Sequence, residues 1–220
     1  MTRRRTRTAL IAASAATALL LTACGGSDNG DASDDIPGVD ETTQEPGGPE
    51  DEPEEEEPTD DGRPVIDFGA DYENIHEIPE SSDPAETAAI LDVQGFNDAV
   101  DEAIATFDFE RPALRHYIAG RALTATLSLF DTVREDGLSS IGSSRYFNYS
   151  VTMLDEEAAT FSFCRDYSAV VTIDFDSREV VEEAETDALP TLFAGRIELN
   201  SEGTWQTVEF DPFEEASECR

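Results

Sequence analysis

The chain has 220 residues, a net charge of −36 at pH 7 and three cysteines, and its fourteen strongly basic residues are all arginine. This acidic balance excludes nucleic acid and anionic lipid headgroups as expected partners, because the chain would repel both. The sequence contains no Gly-rich phosphate loop, no zinc-ligand spacing and no serine-centred nucleophile motif. We therefore expect no cofactor and no metal.

Residues 1–23 are predicted to be a signal peptide. Arginines precede an apolar run that is too short, and too interrupted by Ser14 and Thr17, for a membrane-spanning helix. The run ends in Leu-Thr-Ala-Cys at 21–24, which resembles a bacterial lipobox. The resemblance implies a diacylglycerol on Cys24, which would anchor the chain at the extracytoplasmic face of the cell membrane. An ordinary secretion signal with a coincidental cysteine is the alternative, and Sec and Tat export both stay open.

Residues 24–63 are predicted to be a disordered acidic tether. Between Gly25 and Asp61 the chain has sixteen carboxylates and no basic residue. Such a segment buries too little apolar surface to offset the entropy lost on ordering. Residues 64–82 are predicted to follow as an irregular arm, because their apolar residues recur without a clean period.

Residues 83–220 are predicted to form a single domain, which begins with a long helix. Asp83 is the expected N-cap, Pro84 is the first helical residue, and Glu86 stands three residues after the cap. Gly95 is expected to weaken the middle of this helix. Apolar residues at spacings of three or four predict one buried stripe: Ile90, Val93, Phe96, Val100, Ile104 and Phe107.

Two further helices are predicted before Gly137. One opens at Pro112 and carries Leu114, Tyr117 and Ile118 on one face. The other runs from Arg121 to Asp136 and ends at Gly137. Its expected buried residues are Leu123, Leu127, Phe130 and Val133.

After Gly137 the apolar period changes from about 3.6 to about 2, which indicates β-strands. Strands are predicted at 147–153, 159–163 and 171–175, and a closing hairpin pairs 197–199 with 208–210 around a turn at 200–203. Helices followed by an antiparallel meander predict an α+β fold in which the N-terminal helices cover one face of a curved antiparallel sheet.

This order of elements, with Trp205 in the last strand after a Glu-Gly turn, resembles the NTF2-like (cystatin-like) fold. Together with the lipobox, the acidic tether, the motif CRDYS and a C-terminal cysteine, it resembles lipoproteins of uncharacterised function from high-GC Gram-positive bacteria. The short first strand often found between the second and third helices of that fold is not visible in the sequence. The resemblance implies a conical pocket, in which some family members act as isomerases or dehydratases. The candidate pocket residues are His116, Tyr117, Arg165, Asp166, Tyr167 and Trp205.

Each of these candidates also has a structural role as its alternative. His116 is expected on a helix surface or half-buried, and Trp205 is expected in the core. Arg165 and Asp166 are expected to form a structural salt bridge with each other. We therefore expect a non-catalytic binding or accessory module of the cell envelope, with a protein or a small ligand as its partner. A pocket enzyme of the isomerase or dehydratase type is the alternative.

Cys164 and Cys219 are predicted to form a disulfide, because Cys24 is assigned to the lipid and disulfides persist outside the cytoplasm. Two free thiols, or a catalytic Cys164, are the alternatives. A nucleophilic thiol needs a neighbouring base and an electropositive setting. Only His76 and His116 could supply an imidazole, and the domain is acidic.

Overall fold

A computed structural model describes residues 62–214 and 216–220. The predicted signal peptide, Cys24 and nearly all of the predicted tether lie outside the described residues. Within the part that is described, no helix is long and apolar enough to cross a membrane. The elements are β1 (Tyr72–His76), α1 (Pro84–Thr106), α2 (Pro112–Tyr117), α3 (Gly120–Asp136), β2 (Leu138–Met153), β3 (Ala158–Asp174), β4 (Val180–Glu182), β5 (Thr191–Leu199), β6 (Trp205–Phe213) and a 3₁₀ turn at Ser217–Cys219.

The strands form one sheet in the order β1-β2-β3-β5-β6, with β4 paired to β3. β1 runs parallel to β2, and the other pairs are antiparallel. The β2–β3 register shifts between Ser143 and Arg145 and again between Phe147 and Ser150, and such bulges bend long strands. The helices pack on one face, α1 against β2 and β6, and α3 against β6. The predicted fold class, α+β with N-terminal helices on a curved antiparallel sheet, is confirmed.

The long helix α1 begins where the sequence predicts. The Asp83 carboxylate accepts a hydrogen bond from the Ala85 amide at 2.9 Å, and Pro84 opens the helix. Glu86 does not complete a reciprocal capping box. Its carboxylate instead accepts a hydrogen bond from the Ser81 hydroxyl at 2.8 Å. Packing explains why a glycine stands at position 95 in the middle of the helix: a Cβ there would lie 2.3 Å from Cζ of Tyr117.

The third helix buries a face that overlaps the predicted one, since Phe130 is buried and Leu127 is the one predicted residue that is exposed. Its buried residues are Ala122, Thr126 and Phe130, an i, i+4 row, whereas Leu127 is 36% exposed. Leu123 and Val133 are partly buried beside that row. The apolar residues of this helix extend around its circumference to Leu127 and Leu129, so the sequence did not show that Leu127 lies outside the buried face.

The segment 64–82, predicted to be irregular, contains the strand β1. Its pattern is inverted: Tyr72 and the polar Asn74 and His76 are the less exposed residues, while Ile75 is 45% exposed. An amphipathic period is invisible when polar side chains face the interior. β1 is instead stabilised by parallel pairing with 142–146.

The predicted strands at 159–163 and 171–175 are two parts of one strand, β3. The polar stretch Arg165-Asp166-Tyr167-Ser168 made them look separate. The alternation nevertheless continues through it, because residues two apart share a face of the sheet. Arg165 and Tyr167 therefore occupy the inward positions that follow Phe161 and Phe163. The hairpin at 200–203 joins β5 to β6 as predicted.

Candidate functional site

A cavity of about 160 Å³ lies between α1, α3 and the inward face of the sheet. Its volume is close to that of an engineered cavity of about 150 Å³ that holds benzene. The space therefore accommodates one six-membered ring or a branched chain of similar size. The apolar lining comes from both helices and from three strands: Phe96, Val100, Ala125, Leu129, Phe163, Phe193 and Phe210.

Four polar side chains complete the lining: Asn97, Thr126, Arg165 and Tyr167. Arg165 and Tyr167 reach the cavity because they lie two residues apart on the same face of β3. The Arg165 guanidinium carbon lies 4.2 Å from the centroid of the Tyr167 ring and 5.0 Å from that of Tyr146. Flanking rings of this kind stabilise a cation electrostatically and restrict its motion.

Arg165 forms a buried ion pair with Asp101 of α1. Its Nη2 lies 2.8 and 2.9 Å from the two carboxylate oxygens, and Asp101 is only 3% exposed. The hydroxyls of Tyr72 and Tyr146 also donate to Asp101. Nε and Nη2 of Arg165 additionally donate to the Ser144 hydroxyl, at 3.2 and 2.9 Å. The carboxylate is thus paired and multiply hydrogen-bonded, as a buried charge requires.

The tyrosines of this cluster stay protonated at neutral pH. Burial raises the pKa of Tyr72, Tyr146 and Tyr167 above its ordinary value and outweighs the Arg165 charge, which lowers it, while the Asp101 charge acts in the same direction as burial. Burial alone would lower the pKa of Arg165, but Asp101 and the neighbouring tyrosines raise it well above its ordinary value. The pocket wall therefore presents a permanently charged guanidinium and a neutral phenol.

A second polar cluster ties β1 to α1 and β2. The Nε2 of His76 lies 2.7 Å from the Asp98 carboxylate, and Nδ1 lies 2.8 Å from the Tyr149 hydroxyl. The imidazole stacks on Tyr146 with ring centroids 4.8 Å apart. His76 does not line the cavity. Its contacts connect β1, α1 and β2, so the role of His76 is structural.

The structure separates the residues that the sequence grouped as a candidate pocket. His116 is half-buried, with Nε2 3.5 Å from the Thr204 hydroxyl, and lines a different, polar cavity of about 290 Å³. Tyr117 packs over Gly95, and Trp205 is a core residue whose amide donates to Asp92. Of the candidates, only Arg165 and Tyr167 line the apolar cavity.

The expected salt bridge between Arg165 and Asp166 is wrong. Adjacent strand residues point to opposite faces of a sheet, so Arg165 faces the helices and pairs with Asp101. Asp166 faces the other way, where its Oδ2 lies 3.9 Å from Nη1 of Arg145.

Cys164 and Cys219 form a disulfide with their Cα atoms 5.6 Å apart. Cys164 neighbours Arg165 in β3 and therefore projects from the sheet face opposite the cavity. There the two cysteines pack with Phe147 and Leu192. The cross-link holds the C-terminal turn on the outer face of the sheet and takes no part in the pocket.

Sequence reasoning did not find Asp101, Asn97 or the tyrosines Tyr72 and Tyr146. One signal was present: Asn97 and Asp101 are four residues apart and lie beside the apolar stripe of α1, so they share a helix face. Both are buried. Their partners lie on β1, β2 and β3, which no local pattern connects to α1.

No protein-family model matches the chain, and no curated protein matches it. Solved structures show partial likeness. A ketosteroid isomerase-like protein from Erwinia carotovora atroseptica is 12% identical over 61% of this chain and 98% of its own, with a TM-score of 0.42. The intermembrane space region of the chloroplast protein ARC6 is 13% identical over 62% and 99%, with a TM-score of 0.39. LinA is 14% identical over 59% and 86%, with a TM-score of 0.35.

Likeness at these identities and TM-scores carries no information on ligand, activity or partners. The fold described above rests on its own helix packing and strand pairing.

Proposed function

We propose that the chain is a lipid-anchored module of the cell envelope, and that its domain binds a small apolar molecule between α1, α3 and the sheet without catalysing a reaction. The observation that carries this proposal is the composition of the pocket wall. Among the described residues, the lining combines apolar side chains with an amide, two hydroxyls and one guanidinium, and it includes no carboxylate and no imidazole. Few polar groups among many apolar ones are typical of a binding pocket.

General acid–base catalysis needs a group that exchanges protons near the working pH, within hydrogen-bond reach of the substrate. Arg165 and Tyr167 are the ionisable groups of the lining, and the pKa of each is raised above its ordinary value. Both therefore keep their protons at neutral pH. This supports binding over the alternative of an isomerase- or dehydratase-type pocket enzyme.

Asp101 is the carboxylate in contact with the lining, through Arg165. To act as a general base, Asp101 would have to break hydrogen bonds that its oxygens accept from Arg165, Tyr72 and Tyr146. Those hydrogen bonds fix the position of the carboxylate and shield it from a ligand. Their number supports a structural role for Asp101 rather than proton transfer.

The binding proposal is tested by blocking the pocket. Ala125 is an exposed residue of α3 that lines the cavity, and Ser128 is an exposed residue of the same helix that does not. In the full-length protein, Ala125→Phe should weaken binding of toluene, titrated by NMR, by about tenfold or more. Ser128→Phe is the matched control and should leave the affinity unchanged. If toluene does not bind the wild type, or binds Ala125→Phe equally well, the pocket is not a ligand site.

The anchor is tested separately, at Cys24. Two acyl chains hold a protein stably at a bilayer, whereas an unmodified chain of this charge has no affinity for it. Cys24→Ser should therefore move the protein to the aqueous phase in a detergent phase separation, or leave it unprocessed. An unchanged distribution of protein that has lost the signal peptide would contradict lipidation.

A further inference from the structure

We infer that the pocket selects a ligand that carries a neutral hydrogen-bond acceptor, such as the carbonyl oxygen of an amide or an ester, and discriminates against a carboxylate. The inference rests on the proposed function, because it concerns what the same cavity recognises. It assigns Arg165 as the residue that binds the acceptor and Asp101 as the residue that positions Arg165 and sets the charge of the site.

The first step concerns the donors that Arg165 has left. Its Nε donates to Ser144, and its Nη2 donates to Asp101, Ser144 and Tyr72. A side-chain hydrogen bond also joins Arg165 to Tyr167, and the guanidinium lines the cavity beside that ring. The bonds to Asp101, Ser144 and Tyr72 do not use Nη1, which carries two of the five N–H groups, so at least one donor is left after the bond to Tyr167. Because a guanidinium carries donors only, the group that it binds has to be an acceptor.

The second step concerns charge. An arginine usually attracts carboxylates, but here the Asp101 carboxylate already lies 2.8 Å from the guanidinium. The pair is neutral as a whole, so a bound carboxylate would bring an uncompensated negative charge into an apolar cavity. That charge would also face a chain with a net charge of −36. A buried charge without its own partner is strongly disfavoured, whereas a neutral carbonyl needs only the hydrogen bond.

The third step concerns the neighbouring polar groups. Tyr167 is a neutral phenol at neutral pH, and burial raises its pKa further above the ordinary value, so its hydroxyl adds no charge to the site. Asn97 directs its amide nitrogen to the Tyr149 hydroxyl at 3.3 Å. Within the described lining, Arg165 is therefore the single cationic side chain, and its charge is already matched.

Three probes with the same ring separate these effects: benzamide has a neutral acceptor, benzoate has a charged one, and toluene has none. We expect the full-length wild type at neutral pH to bind benzamide about tenfold more tightly than benzoate, and more tightly than toluene. This comparison requires no variant, so it is independent of any folding defect. Affinities are measured by NMR titration, and the shifts of the amides that line the cavity identify the site.

Asp101→Asn keeps the size of the side chain and removes its charge, which leaves Arg165 uncompensated. In this variant the ratio of benzamide to benzoate affinity should fall by about tenfold or more. Asp98→Asn is the matched control on the same helix, because Asp98 bonds His76 and does not line the cavity. It should keep the wild-type ratio. A thermal unfolding transition checks that each variant is folded.

Two results would overturn the inference and leave the proposed function standing: benzoate binding the wild type as tightly as benzamide does, or a folded Asp101→Asn variant with an unchanged ratio. In both cases toluene would still bind, and Ala125→Phe would still block it. If toluene does not bind the wild type, or binds Ala125→Phe equally well, the proposed function fails and the inference fails with it.

Discussion

Arg165 acquires its role from a single geometric fact, its place on the inward face of β3 after Phe161 and Phe163. The alternation of the strand directs the guanidinium into the space between sheet and helices, where a charge is costly without a partner. Asp101 offsets that cost, and the rings of Tyr146 and Tyr167 add cation–π stabilisation of roughly 0.5–2 kcal/mol. One residue later, Asp166 has no access to this environment.

Gly95→Ala should destabilise the domain, although alanine is the better helix former. The gain in helix propensity is about 1 kcal/mol. The new Cβ would lie 2.3 Å from the rigid ring of Tyr117, and overpacking of this kind costs about 1–3 kcal/mol. We expect a net loss in urea-induced unfolding. Combining Gly95→Ala with Tyr117→Leu should recover part of the loss, and a more stable Gly95→Ala single variant would contradict the packing explanation.

Cys219→Ser should lower the free energy of unfolding by about 2–5 kcal/mol, because the cross-link restricts the unfolded chain. The double variant Cys164→Ser/Cys219→Ser should lose a similar amount, since the stabilisation belongs to the bond and not to either thiol. In a Cys24→Ser background, the denatured but unreduced protein should show no free thiol, and Cys219→Ser should show one. Two free thiols in the Cys24→Ser protein would disprove the disulfide.

The elements differ in how far their own residues determine them. α1 begins at a capping aspartate and a proline and carries a periodic apolar stripe, so its start is local in origin. β1 has the opposite character, with its polar side chains inward and its isoleucine exposed. It is stabilised by pairing with β2 and by the bonds of His76 to Asp98 and Tyr149.

The start of α1 can be tested at its cap. Asp83→Ala removes the acceptor of the Ala85 amide and should cost about 1 kcal/mol, within a range of about 0.5–2 kcal/mol. Ser82→Ala is the control, because Ser82 is exposed and its side chain makes no hydrogen bond among the described residues. It should change the free energy of unfolding by less than about 0.5 kcal/mol. Equal effects of the two substitutions would mean that the cap contributes nothing.

At the scale of the whole domain, buried phenols connect the two layers. Tyr72 on β1, with Tyr146 and Tyr149 on β2, bonds polar side chains of α1, namely Asp101 and Asn97. Burial raises the pKa of all three tyrosines above its ordinary value, and that of Tyr167 as well. The connection between sheet and helix therefore depends on neutral hydroxyls.

The domain should consequently lose stability in alkali. Tyrosines of the unfolded chain ionise near their ordinary pKa of 10.0, whereas the folded chain keeps them protonated to higher pH. The unfolded state then binds fewer protons than the native state, so the free energy of unfolding is unaffected below about pH 10 and falls above it. Urea unfolding from about pH 8 to about pH 12 measures the slope, which Tyr146→Phe should reduce. A constant stability through this range would contradict the burial of these hydroxyls.

The sequence by itself determined the features whose causes are local: the Asp83 cap, the end of α3 at Gly137, the hairpin at 200–203 and the helices-before-sheet order. It also led to the pairing of Cys164 with Cys219, because few cysteines leave few choices. Only the tertiary structure decided that β1 exists, that β3 is continuous, and that Arg165 pairs with Asp101 rather than Asp166. The reason is distance along the chain: Asp101 lies 29 residues from Tyr72 and 64 from Arg165. Contacts of that separation form only when packing brings α1, β1 and β3 together.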